Sequence, residues 1–116
     1  MRRELLLIGE MIEAAEQAQS LVADRDVAEL ETDRQRRDAL LWNFTVLGEA
    51  AAQLDDGVKA RFPSIEWSRP AQLRNRVIHG YWSIDMEILH TTATDLLPGF
   101  VAQLRAALDE LEADDG

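Results

Sequence analysis

The chain has 116 residues, no cysteine, 47% hydrophobic residues and a formal net charge of −10. That composition excludes a disulfide scaffold, a thiolate metal site and a disordered chain, and a charge so negative excludes a general nucleic-acid binder, because phosphate affinity comes mainly from Lys and Arg. A domain of this length buries roughly 65% of its unfolded surface, so one core suffices and a single domain over residues 1–116 is expected.

The start, Met1-Arg2-Arg3-Glu4-Leu5-Leu6-Leu7-Ile8, has an apolar run too short for a signal peptide or a membrane span before Gly9-Glu10 closes it. With no cysteine, the expectation is a soluble cytoplasmic protein without membrane contact. Leu5, Ile8, Met11/Ile12, Ala15, Ala18/Gln19 and Leu21/Val22 recur at helical spacing and predict a helix over about residues 3–23. Asp24-Arg25-Asp26 interrupts it. A second stripe, Leu40/Leu41, Phe44, Leu47, Ala50/Ala51 and Leu54, predicts a helix that starts near Thr32 or Asp33. Thr32 is its candidate cap, and Asp55-Asp56-Gly57 its end. A short helical turn, Val58 to Arg61, follows.

Pro63-Ser64-Ile65-Glu66-Trp67-Ser68-Arg69-Pro70 reads as an ordered loop. Ser68 is the N-cap candidate for a helix from about Pro70 to His79, with Gly80 as terminator. Asp85 or Ser83 opens a last long helix through Ile88/Leu89, Thr92, Leu96, Val101, Leu104, Leu108 and Leu111. Pro98-Gly99 should bend it, since proline lacks a backbone donor and clashes with the preceding turn. No segment shows sustained two-residue alternation. The predicted fold is all-α, an antiparallel bundle of four main helices plus a short helix.

Charge is unevenly spread. Residues 1–60 carry 7 basic and 13 acidic side chains and residues 83–116 carry 1 and 8, yet residues 61–82 carry Arg61, Arg69, Arg74 and Arg76 against Glu66 alone. An acidic body with one basic strip admits phosphate locally and repels it elsewhere. That strip contains Arg74-Asn75-Arg76-Val77-Ile78-His79-Gly80-Tyr81. Asn75 and His79 are one helical turn apart, so the amide can orient the imidazole, while Val77 and Ile78 can anchor the turn in the core.

These residue types suit metal-free RNA cleavage. The ribose 2′-hydroxyl is the nucleophile, histidine (reference pKa about 6.5) exchanges protons near neutrality, and arginine grips phosphoryl oxygens with a planar fork. His90 has no ligand spacing to His79, so no metal and no cofactor are expected.

Arg74-Asn75-x-x-x-His79-Gly80-Tyr81 resembles the R-x4-H-x-Y signature of HEPN domains in their HepT-like toxin branch. Leu47-Gly48-Glu49-Ala50-Ala51 is similar to the family's second-helix GEA segment. Phe62-Pro63-Ser64-Ile65-Glu66-Trp67 resembles its P-x-I-x-W loop, and Asp85 through Pro98 the following helix with its DLLP bend. The likeness spans about residues 5–110.

The resemblance implies a homodimer, open to pairing into larger assemblies, whose two motifs form a composite RNA-cleaving cleft. Arg74 would stabilise the phosphate, His79 would transfer protons, and Asn75 would orient His79 or the substrate. The chain would then be the toxin of a type VII HepT/MntA-like toxin–antitoxin system, a metal-independent endoribonuclease acting on tRNA or mRNA. Its MntA-like nucleotidyltransferase antitoxin would attach AMP to Tyr81, placing negative phosphates beside Arg74; ATP and a divalent metal would belong to that partner. The alternative is a noncatalytic HEPN module docking on a nucleotidyltransferase, with Arg74 and His79 as docking or structural residues. Arg69 and Arg76 are candidate RNA contacts. Glu49 can approach the site or serve as an interhelical carboxylate, and Gly48 fits close helix packing. Trp42, Trp67 and Trp82 can stack bases or fill core and dimer contacts.

Overall fold

The computed structural model describes residues 2–80 and 82–115. Among them there is no strand, and the helices fall in the order α1 (Arg2–Val22), α2 (Val27–Thr32), α3 (Arg34–Gln53), α4 (Asp56–Arg61), α5 (Ser68–Gly80), α6 (Met86–Thr91) and α7 (Leu97–Asp115), with a π-helical stretch, Thr92–Leu96, joining the last two.

Helix α1 follows its stripe: Ile8, Met11, Ile12, Ala15, Ala18 and Val22 are buried. They pack chiefly on α3 and α7, while α3 also packs along α5. Helix α3 is therefore shared between the core and the motif helix. Leu40, Leu41, Phe44, Leu47 and Ala51 fill the core, and Gly48 and Glu49 lie next to that stripe on the side of α5. Burial of such side chains at roughly 1.5–3 kcal/mol each supplies the main driving force for the bundle.

The all-α bundle of four main helices holds, with α6, the π stretch and α7 together forming the last. The single short helix expected is instead two, α2 and α4. The segment after α1 does not stay irregular. Asp26 builds a capping box with Glu29, accepting from its N–H at 2.8 Å while Glu29 accepts from the Asp26 N–H at 3.1 Å. Fully buried Leu30 anchors that turn. Thr32 ends α2 rather than capping α3; the cap is Asp33, which accepts from the Arg36 N–H at 3.1 Å. Asp55 likewise opens α4 after α3 has ended at Gln53.

Buried Glu4 ties this corner to α1, accepting from the Asp55 N–H at 2.9 Å and from Arg3 at 2.9 Å. A buried carboxylate is tolerable only with such partners.

Asp85 caps α6 through the Glu87 N–H at 2.9 Å. Just before Pro98-Gly99, where the sequence predicts a bend, the chain forms the π stretch, in which the Leu97 N–H reaches back to the Thr92 carbonyl. The wider turn accommodates a proline that cannot continue the normal ladder. No described helix is long and apolar enough to cross a membrane.

Candidate active site

Helix α5 begins where the loop before it is pinned. Trp67 is buried and its indole donates to the Phe62 carbonyl at 3.0 Å, and Gln103 on α7 donates to the Ser64 carbonyl at 3.3 Å. Trp67 is thus a core residue and not available for base stacking. Trp42 and Trp82 are exposed. Helix α5 lies close on α3 because position 48 is glycine. A Cβ there would run into the Arg74 Cβ and the Pro70 carbonyl oxygen, a backbone atom and a side-chain stem that cannot swing aside. Close approach, not unusual backbone dihedrals, explains this glycine.

The approach delivers Arg74 to Glu49. Arg74 is only 20% exposed at its side chain, and its Nη1 donates to Glu49 Oε2 in a short ion pair across the α3–α5 interface. Nη2 donates to Asn75 Oδ1 at 2.9 Å, while Nε is buried without a hydrogen-bond partner among the described residues. Glu49 Oε1 accepts from Gln53 Nε2 at 3.1 Å. Four side chains therefore form one chain of polar contacts: Gln53, Glu49, Arg74 and Asn75.

The Asn75 carbonyl oxygen is turned to Arg74, and no hydrogen bond joins Asn75 and His79 within this chain. His79 is exposed, and its imidazole makes no hydrogen bond with a described residue. Five positions separate it from Arg74, about 140° around an ideal helix, so the two leave α5 in different directions. Val77 is 4% exposed and anchors the helix as expected, whereas Ile78, one position on, is 49% exposed and faces out. Arg69 and Arg76 line a groove of about 760 Å³ between α5 and the α6–α7 arm, and Arg69 also pairs with Glu66 at 2.8 Å. Tyr81 lies outside the described residues. Among those described, no three His, Asp or Glu side chains converge to hold a metal.

The Glu49 carboxyl is held below the ordinary glutamate range, first by the Gln53 hydrogen bond and then by the hydrogen bond and charge of Arg74, with desolvation opposing them. A depressed folded value means the contact favours folding above the unfolded glutamate value, and this contribution fades as pH falls through the lower folded value. A carboxyl-detected NMR titration should place the Glu49 midpoint below about 4.3, the unperturbed figure. A midpoint at or above it would show that Arg74 does not hold Glu49 in solution.

The family model described as Ribonuclease HepT-like matches residues 11–107, a span that holds the α3–α5 contact and the whole motif. The chain belongs to the HepT-like ribonuclease family. Within this family it is similar to a Methanocaldococcus jannaschii protein named "Putative RNase MJ0127", at 25% identity over 72% of this chain and 69% of that one. It is similar at 27% identity to "Probable ribonuclease HepT" of Thermococcus cleftensis, over 57% of this chain and 60% of that one. A second M. jannaschii protein, "Putative RNase MJ1380", is 26% identical over 77% and 82% of the two chains. No solved structure matches the chain.

Sequence reasoning missed Gln53 as a member of this HepT-like site. The signal was available in part, because Glu49 and Gln53 are one helical turn apart on α3. Nothing in the sequence pairs Glu49 with Arg74, which are 25 residues apart.

Proposed function

We propose that this chain is a metal-independent endoribonuclease, the toxin of a type VII HepT/MntA-like system, acting as one HEPN-like domain in the cytoplasm. The observation that carries the proposal is His79: an exposed imidazole with no protein partner among the described residues, on the helix that bears Arg74, in a member of the HepT-like ribonuclease family.

The chemistry needs little else. The 2′-oxygen attacks phosphorus, the bond from phosphorus to the 5′-oxygen breaks, and a proton moves from the nucleophile to a base and from an acid to the leaving group. His79 is suited to proton transfer, and Arg74 to the charge that develops on the phosphoryl oxygens. Because Arg74 and His79 diverge around α5, the geometry favours a site shared by two copies, in which one chain's histidine faces the other chain's arginine. Arg69 and Arg76 then extend phosphate contacts along α5, and tRNA or mRNA is the substrate class. Regulation falls to Tyr81, two residues beyond His79. AMP added there by an MntA-like nucleotidyltransferase brings phosphate charge to the site, repelling RNA and competing for Arg74.

A second reading has one observation in its favour: Glu49 already neutralises Arg74, as suits a noncatalytic docking module. Overexpression separates the two. The catalytic reading expects growth arrest from wild type and none from His79→Ala, whereas equal effects favour docking. Intact-mass measurement after co-expression with an active transferase should show AMP increments located on Tyr81, and an unchanged mass counts against this mode of control.

A further inference from the structure

If Arg74 is the phosphate ligand proposed above, the structure shows it already paired with an anion. Of its three nitrogens, Nη1 is on Glu49, Nη2 is on Asn75, and Nε is buried. These contacts use two of the five N–H bonds of the guanidinium, and a phosphate that takes the others lies beside the Glu49 carboxylate, where like charges oppose it. Asn75 is neutral and yields at small cost. Glu49 is an anion with the same preference for a planar cationic fork as a phosphate has.

We infer that Glu49 is a competing ligand of Arg74, one that weakens the binding of RNA and of free phosphate at this arginine until its carboxylate is displaced. The carboxylate is tethered one helix away, so it faces Arg74 at an effective concentration on the order of millimolar or higher. Gln53 holds its other oxygen and keeps it aimed across the interface. A phosphate group, whether free or within RNA, must beat that tethered anion. Glu49 is half exposed, so the ion pair is weak enough to open. Its location on α3, outside the Arg-to-His motif, explains why the motif alone does not reveal it.

The inference rests on Arg74 as the phosphate ligand, and the test separates the two. Fluorescence anisotropy with a 2′-O-methyl RNA oligonucleotide gives Kd for wild type, Glu49→Gln, Glu49→Asp, Arg74→Gln and the Glu49→Gln/Arg74→Gln double variant. Glu49→Gln should tighten binding about three- to fivefold, the scale of an exposed ion pair. Glu49→Asp keeps the net charge but shortens the reach, so it should tighten binding by less; it also carries the test should Glu49→Gln fail to fold. Neither gain should survive without Arg74. Inorganic phosphate, with ionic strength held by chloride, should displace RNA from Glu49→Gln at lower concentration than from wild type. Unchanged or weaker binding by the Glu49 variants, a gain that persists in the Arg74→Gln background, or equal displacement by phosphate overturns the inference. Undiminished RNA binding by Arg74→Gln overturns instead the assignment of Arg74 itself.

Discussion

Gly48→Ala should lose stability and RNA cleavage together, although alanine is the better helix former by about 1 kcal/mol. The added methyl meets the Arg74 Cβ and the Pro70 carbonyl oxygen, so α3 and α5 must move apart. Overpacking of this kind costs about 1–3 kcal/mol, which exceeds the propensity gain at most of that range. The same displacement pulls Glu49 from Arg74 and shifts the arginine itself. Thermal denaturation should show a midpoint several degrees below wild type. Gly9→Ala is the matching control, because a Cβ at position 9 meets nothing within 4 Å. That variant should be unchanged or more stable by up to about 1 kcal/mol. A Gly48→Ala protein as stable and active as wild type would show that the α3–α5 approach does not build the site.

His79→Ala should leave the fold intact and lower the cleavage rate by about 10²–10⁴-fold, the range for loss of a proton-transfer group. The first half follows from exposure: the imidazole fills no core space and holds no hydrogen bond among the described residues, so truncation opens no cavity. The second follows from its availability, since His90, the only other histidine, is spent elsewhere, its Nε2 lying 2.7 Å from the Arg25 carbonyl. Initial rates on a fluorogenic RNA, with melting curves in parallel, decide the matter. A rate within tenfold of wild type in a folded variant removes His79 from the chemistry.

The parts of this site differ in how far the sequence discloses them. Regular spacing placed α1 and α3 close to their observed bounds, because a helix that buries one face must repeat its apolar residues at 3–4 positions. The motif helix was placed by end signals instead, and Ser68 and Gly80, the expected cap and terminator, are its first and last residues. The Asp26–Glu29 capping box was equally legible as a pattern, yet Asp24-Arg25-Asp26 reads more readily as a break, and α2 is too short to show a period. Ile78 illustrates a different limit. Its apolar character suggests burial beside Val77, but adjacent residues on a helix lie about 100° apart and only one of them can face α3. The Arg74–Glu49 pair is the clearest case of what a sequence does not carry. Each residue announces its own helix face, while the choice of which faces meet depends on Gly48 and the packing of the whole bundle.

The most direct test of the central claim uses purified protein, EDTA, and two oligonucleotides that differ only by a single 2′-deoxy substitution at the cleaved position. The all-ribose strand should be cleaved in EDTA to products ending in a 2′,3′-cyclic phosphate, and no cleavage should occur at the deoxy position. Cleavage that disappears with EDTA, or that proceeds at the deoxy position, would contradict a metal-independent reaction driven by the ribose hydroxyl.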